Sequence, residues 1–283
     1  MEKQVKIKIR NLYKIFGPRP KTALDMYLKK KSKSEILSKT KSTLGVCGVS
    51  FDIYQGETLV IMGLSGSGKS TLLRCLNRLH ETTQGSIIMD GQDIVQMDYH
   101  KVLEMRRHKM SMVFQKFALF PHKTVLENVE FGLEIQKTPE YLRKEKAQKA
   151  LEQVGLKGWD QFYSPQLSGG MQQRVGLARA LAVNPDVLLM DEPFSALDPL
   201  IRTDMQDELL PLRKNIQKTI VFVTHDLAEA IKLGDRIVIM KDGELVQIGT
   251  PKEILLSPST SYVEKFVESI DIERALENIA KNP

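Results

Sequence analysis

Cysteine is scarce in this chain: Cys47 and Cys75 are the two present in 283 residues, and they lie too far apart in sequence to read as a metal-binding pair. A disulfide scaffold is thereby excluded, and both are expected to be free thiols in a reducing compartment. Also missing is any apolar run near the roughly eighteen residues that a bilayer span needs. The first residues, Met1-Glu2-Lys3-Gln4-Val5, lack the apolar core of a secretion signal, so the chain is expected to stay in the cytoplasm. We find no internal repeat and no low-complexity tract beyond one lysine-rich stretch. With 42% hydrophobic and 27% charged residues, the composition is that of a soluble globular protein and excludes disorder as the main state.

The charge is equally uneven. Residues 17–43 carry eight basic side chains (Arg19, Lys21, Lys29, Lys30, Lys31, Lys33, Lys39, Lys41) against Asp25 and Glu35, which accounts for the whole net charge of +6. The remainder is neutral, which argues against a nucleic-acid-binding face. The stretch itself reads either as a solvated, mobile surface or as a contact for anionic lipid or a partner. In the lipid case each lysine near the surface contributes on the order of 1 kcal/mol.

Among the features present, Gly63-Leu64-Ser65-Gly66-Ser67-Gly68-Lys69-Ser70 is the most informative. Glycines at this spacing ahead of Lys-Ser build a loop whose backbone N–H groups wrap a phosphate chain. Glu57–Met62 reads as a buried strand entering the loop. Ser70–Leu79 carries Leu72, Leu73, Leu76 and Leu79 at helical spacing, so a helix begins there with its positive end toward the phosphates. A nucleoside triphosphate is the expected ligand.

Around this motif the pattern is that of an α/β protein. Val5–Arg10 alternates as a half-buried strand, and Gly45–Ile53 continues a strand-rich start. Ala23–Lys31 and Ser34–Ser38 are candidate short helices in the basic insertion. Gly85–Met89 with Asp90-Gly91 reads as an edge hairpin, and Arg236–Met240, Asp242-Gly243 and Glu244–Ile248 as another. Residues from about Thr124 to Asn184 are mostly helical. Within them Thr138-Pro139-Glu140 is expected to start a helix, with Pro139 in its first turn, that Gly155 ends. Val187–Asp191 and Thr219–Thr224 are continuously apolar, as strands covered on both faces of a parallel sheet must be. Asp191, Glu192 and His225 fall at carboxyl ends of strands, where open α/β sheets gather ligands.

A phosphate loop alone is shared by GTPases, small-molecule kinases and many motors. Here it is followed by Gln115, by Leu167-Ser168-Gly169-Gly170-Met171-Gln172-Gln173, by Leu188–Glu192, by Ser195-Ala196-Leu197-Asp198 and by His225-Asp226. This set and order resembles the ATP-binding cassette (ABC) ATPases, with the Leu-Ser-Gly-Gly stretch as its most specific member. The resemblance, over roughly residues 5–270, implies a phosphate-loop NTPase fold: a RecA-like parallel-sheet core, an antiparallel β subdomain and an inserted helical subdomain. In those terms residues 1–250 form the cassette, with the basic insertion at about 17–43 and the helical subdomain at about 117–172. Residues 251–283 form a short helical extension without a paired regulatory (CBS) module.

The resemblance also assigns roles. The ATP-binding residues are Gly63, Leu64, Ser65, Gly66, Ser67, Gly68, Lys69, Ser70 and Thr71. Lys69 neutralises the β- and γ-phosphates, and Ser70, Gln115 and Asp191 hold Mg²⁺. Glu192 orients and deprotonates the attacking water, and His225 contacts the γ-phosphate and steadies Glu192. Ser168, Gly169 and Gly170 complete the nucleotide site of a second subunit, so two copies face head to tail, and Asp198 links the two sites. An aromatic stacks on adenine; Phe16 fits by place, with Tyr13 the alternative.

Since nothing in the sequence spans a membrane, the resemblance implies separate partners: an integral-membrane permease docking near Gln115–His122 and a substrate-binding protein, with this subunit peripheral on the cytoplasmic membrane face. Val113–His122, Phe194–Leu209 and the insertion resemble the ATPase subunits of glycine betaine/proline and related quaternary-amine importers. Ile272, Ala275, Leu276 and Ile279 suit one amphipathic helix, and no osmotic gating is expected from that stretch. An importer ATPase for another small solute is the alternative. A soluble cassette acting on nucleic acid is opposed by the single cassette, by the lack of a long coiled-coil insertion between Lys69 and Ser168, and by the charge balance. The Leu-Ser-Gly-Gly stretch opposes a GTPase or small-molecule kinase.

Overall fold

The computed structural model describes residues 4–216 and 218–281. In chain order the elements are β1 (Val5–Phe16), α1 (Pro20–Leu28), α2 (Lys33–Thr40), β2 (Thr43–Tyr54), β3 (Thr58–Met62), α3 (Lys69–Leu76), β4 (Gln84–Met89), β5 (Gln92–Asp93), α4 (Tyr99–His108) and β6 (Met110–Val113). Then come α5 (Val125–Ile135), α6 (Glu140–Gln153), α7 (Gly169–Ala182), β7 (Val187–Asp191), α8 (Pro199–Ile216), β8 (Thr219–Thr224), α9 (Leu227–Leu233), β9 (Arg236–Lys241), β10 (Glu244–Gly249), α10 (Pro251–Leu256), α11 (Ser261–Val267) and α12 (Ile272–Lys281). By internal packing the chain forms two units: residues up to Val102 together with those from Thr224 onward, and Leu103–Val223.

In the first unit β2, β1, β4 and β5 make an antiparallel sheet in that order. β3 runs parallel to β9, which turns back into β10. All five residues of β3 are buried, which is why Leu59 to Met62 are continuously apolar and not alternating. At roughly 1.5–3 kcal/mol for each fully buried aliphatic side chain, Leu59 to Met62 anchor the loop that follows. β1 runs six residues past the expected Arg10. The alternation breaks because Asn11, at φ 44°, inserts a bulge between Ile9 and Leu12, and the amide of Asn11 is taken by the Ser50 hydroxyl at 2.8 Å. Both expected hairpins form, and Asp90-Gly91 and Asp242-Gly243 have positive φ at both residues, as a two-residue hairpin turn demands.

The basic insertion is a packed helical hairpin. Ala23, Leu24 and Ile36 bury against Ile15 of β1, with Tyr13 and Tyr27 at their edge, while the lysines point outward. Ser32 caps α2 by accepting from the Glu35 amide. At the other end of the chain, α12 covers the expected amphipathic stretch and buries Ala275, and α10 and α11 precede it.

In the second unit β6, β7 and β8 are parallel neighbours, with β7 and β8 wholly buried. α5, α6 and α7 pack on one another. α5 opens with a full capping box, Thr124 to the Glu127 amide and Glu127 back to Thr124. The start of α6 differs from the sequence expectation: Pro139 sits at the N-cap and not inside the first turn, and no side chain caps the helix. With φ −55° and ψ 144°, Pro139 has the extended geometry of a residue outside the helix, while Gly155 at φ 70° ends it as expected. Among the described residues no helix is long and apolar enough to cross a membrane.

Candidate active site

In the first unit, β3 delivers the chain into a loop shaped by three left-handed glycines, Gly63, Gly66 and Gly68. A Cβ on Gly63 would strike the Met240 carbonyl and one on Gly68 the Gly45 carbonyl, whereas Gly66 has nothing within 4 Å. The loop is thus packed tightly from behind and open at its crest. Gly68 is the N-cap of α3, so the first amides of that helix point out of the loop. Lys69 is 5% exposed, and its ammonium donates to the carbonyls of Gly63 (3.0 Å) and Leu64 (3.1 Å). Ser67 Oγ is buried and makes no hydrogen bond. A buried hydroxyl without a partner beside outward amides and a shielded cation is a donor set that suits an anionic phosphate chain.

Two further contacts steady this loop and were not anticipated from sequence. The Leu64 amide donates to the Tyr262 hydroxyl of α11 at 3.2 Å, and that hydroxyl donates to the Met240 carbonyl at 3.2 Å. No local pattern marks Tyr262, which is about two hundred residues from the loop it supports. Tyr13 packs against Tyr27 and the insertion core, so its ring is engaged. Phe16 is 37% exposed with Lys14 Nζ 4.7 Å above its ring, which leaves it the accessible aromatic of the pair. His225 follows β8 and is exposed, and Asp226 caps α9.

The second unit holds the acidic residues. Asp191 ends β7 in buried surroundings, 2% exposed. Glu192 follows at φ 45°, a left-handed conformation that costs a non-glycine residue on the order of 1–3 kcal/mol. It is held there by three bonds: its amide donates to Val223 O (3.1 Å), and its carbonyl accepts from the Ser195 amide (3.2 Å) and hydroxyl (2.9 Å). Gln115 in turn donates to Ser195 Oγ at 3.2 Å. Ser195 therefore joins the glutamine loop to the backbone of Glu192, a link that spacing alone does not disclose. Among the described residues no group of three or more His, Cys, Asp or Glu could hold a metal by itself.

After Gln115 the chain is bent by two more left-handed residues, Phe117 and Ala118. Arg179 of α7 clamps them, donating to the carbonyls of Ala118 (2.6 Å) and Phe117 (3.0 Å), and burial holds its guanidinium below its usual pKa. Buried Asn128 fixes the rest of the loop: its amide nitrogen donates to the carbonyls of Phe120, Lys123 and Thr124, and its oxygen accepts from the Phe120 amide.

Ser168 caps α7, accepting from the Met171 amide at 3.3 Å, and is exposed along with Gly169. Gly170 is buried under Ile201, where a Cβ would sit 2.7 Å from that side chain. At the start of α7 the Met171 amide is taken by the Ser168 hydroxyl and the Gln172 amide by the Ser168 carbonyl at 2.9 Å, with Ser168 and Gly169 at the surface. Asp198 caps α8 through the Ile201 amide at 3.1 Å and is exposed.

Comparison with known proteins agrees with this geometry. Residues 46–195 match the family model described as ABC transporter. The glycine betaine transport ATP-binding protein OpuAA of Bacillus subtilis is 60% identical over 97% of this chain and 66% of its own length. The glycine betaine/carnitine transport ATP-binding protein GbuA of Listeria monocytogenes is 56% identical over 94% of this chain and 67% of its own. The chain spans about two thirds of the length of these curated relatives. Among solved structures, the dimeric post-hydrolysis state of the ATP-binding cassette MJ0796 with ADP and Pi superposes at TM-score 0.72, with 34% identity, over 87% of this chain and 98% of that one. Similarity at this level over nearly the whole chain shows the family: the chain belongs to the ABC transporters, within the subfamily of ATP-binding proteins of glycine betaine importers.

Proposed function

We propose that this chain binds Mg²⁺-ATP and hydrolyses it to energise a membrane importer for glycine betaine, proline or a related quaternary amine. The observation that carries this reading is the pairing, in one chain, of a phosphate loop with a helix start in which Ser168 and Gly169 are exposed and Gly170 is buried. Amides of residues 66–70 take the β- and γ-phosphates, and Lys69 exchanges its two loop carbonyls for phosphate oxygens. Phe16, partly exposed with Lys14 over its ring and His80 packed on it at 5.2 Å, is the aromatic assigned to adenine. Ser70, Gln115 and Asp191 supply oxygen donors of the kind Mg²⁺ prefers, few enough to leave places for phosphate and water. The metal, when bound, neutralises charge on the phosphates. Glu192 takes a proton from the attacking water, a contribution of about 10²- to 10⁴-fold in rate. His225 supports the γ-phosphate and Glu192. Residues 1–250 make up this cassette and 251–283 its helical extension.

Two copies arranged head to tail complete each other's sites through Ser168, Gly169 and Gly170, with Asp198 communicating between them. The loop from Gln115 to His122, held by Arg179 and Asn128, docks the permease on the cytoplasmic membrane face, and a substrate-binding protein supplies the solute. Uptake of labelled betaine, proline, choline and carnitine in a strain deleted for the chain, then complemented, tests the transport reading. Restored betaine or proline uptake that Glu192→Gln abolishes is expected. Complementation by Glu192→Gln as complete as by wild type would contradict it.

A further inference from the structure

The basic insertion has no role in the proposed ATPase cycle, yet its polar contacts reach the β9–β10 turn that backs the phosphate loop. Lys33, at the start of α2, donates from Nζ to the Asp242 carbonyl at 2.6 Å, with the Asp242 carboxylate 3.9 Å away. Tyr27 of α1 donates to Glu244 Oε1 at 2.6 Å. Both contacts grip the β9–β10 turn. The other side of that turn is the loop itself: the Gly243 amide donates to the Ser67 carbonyl at 2.9 Å, and the Gly243 carbonyl accepts from Cys47 at 2.8 Å. The packing leaves no slack. A Cβ on Gly243 would lie 3.0 Å from the Gly45 carbonyl and 3.3 Å from Cys47 Sγ, and one on Gly68 would lie 3.3 Å from Gly243 Cα. A short line of contacts therefore runs from α2 through Asp242 and Gly243 to Ser67, the loop residue with the buried, unbonded hydroxyl.

We infer that the α1–α2 hairpin is a brace for the phosphate loop, with Lys33 and Tyr27 as positioning residues that set affinity for ATP through Gly243 and Ser67. A loop already held in its binding shape loses less conformational freedom when the phosphates arrive, so bracing raises affinity without touching the ligand. The coupling is reciprocal: if the brace tightens nucleotide binding, bound nucleotide tightens the brace by the same free energy. This inference rests on the reading that residues 63–70 bind ATP.

The test uses the full chain, with Mg²⁺ and trinitrophenyl-ATP as the fluorescent probe, on wild type, Lys33→Met, Lys33→Arg, Tyr27→Phe and Lys69→Ala. Because Lys33 is half exposed, its loss should raise Kd by only about three- to ten-fold. Lys33→Arg, which can still reach the carbonyl, should stay close to wild type. Tyr27→Phe should weaken binding by a smaller factor. Hydrogen exchange at residues 20–40 should slow when the probe binds wild type, and this slowing should vanish in Lys33→Met. Unchanged Kd in both Lys33→Met and Tyr27→Phe, with exchange at 20–40 indifferent to nucleotide, would overturn the brace while Lys69→Ala still loses the probe. Equal weakening in Lys33→Met and Lys33→Arg that follows a fall in melting temperature would overturn it too. Should Lys69→Ala bind as well as wild type, both the ATP reading and the brace are wrong.

Discussion

Glu192 is the residue on which chemistry and backbone conformation meet. Its left-handed φ is maintained by Val223 and Ser195, and Ser195 is shared with Gln115, so the backbone of the proposed base is tied to the Gln115 loop. Replacement by Gln keeps size and hydrogen bonding but removes the proton acceptor. Glu192→Gln should therefore retain ATP while turnover falls by about 10²-fold or more, measured as phosphate release; turnover within two-fold of wild type would reject Glu192 as base. The cysteines give a second residue-scale expectation. Burial pushes the Cys47 thiol up to about 11 and the Cys75 thiol up to about 12, so neither forms thiolate near neutrality. Iodoacetamide should label both only on unfolding, and rapid labelling of the native chain would show that these sites open. The places of Lys69, Asp191, Glu192 and His225 at a glycine loop and at strand ends were legible in the sequence, as was the Ser168 cap of α7, while their roles in the chemistry rest on the family resemblance. Ser195, Arg179, Asn128 and Tyr262 were not recognised as loop supports, since each acts on a backbone brought near it only by folding.

Elements were legible where one physical rule dominates. The buried strands β3, β7 and β8 declared themselves by unbroken apolar runs, and both hairpins by Asp-Gly turns. Rules in competition hid the rest: the Asn11 bulge lengthened β1 beyond its alternation, and α3 stopped at Leu76 although the leucine spacing continues to Leu79. There Arg78 turns left-handed at φ 55° and its guanidinium satisfies the Ile94 and Met97 carbonyls. The loop after Gln115 depends on Asn128, whose side chain makes four hydrogen bonds in a fully buried place. Asn128→Ala should lower stability by about 3 kcal/mol, read from urea unfolding, because it strands several backbone groups; a loss under 1 kcal/mol would mean that water substitutes for it. At the start of α5, the Thr124 amide holds the Glu127 carboxylate below its usual 4.5. Its folded pKa lies under its unfolded one, so the contribution to stability is complete above pH 4.5 and disappears as the pH falls through the lowered value. Glu127→Gln should flatten the fall in melting temperature over that acid range.

At the scale of the whole molecule, the phosphate loop belongs to one unit and the start of α7 to the other. The net charge of +6 that first suggests a polyanion partner is confined to the α1–α2 hairpin and its flanks, whose Ala23, Leu24 and Ile36 face inward onto β1 while Leu28 and Leu37 stay exposed. That packing could not be read from the lysine run, because the few buried positions, Ala23, Leu24 and Ile36, are outnumbered by charges. In the proposed pair each copy presents its Ser168 turn to the other, whereas the glycine at position 170 answers to Ile201 of its own chain.

Light scattering on the Glu192→Gln chain after size exclusion, with and without saturating Mg²⁺-ATP, bears most directly on this arrangement. The account predicts monomers without nucleotide and a stable pair with it, and a return to monomers when Ser168 and Gly170 are both replaced by bulkier residues. A nucleotide-loaded chain that stays monomeric, both alone and beside its permease, would contradict it.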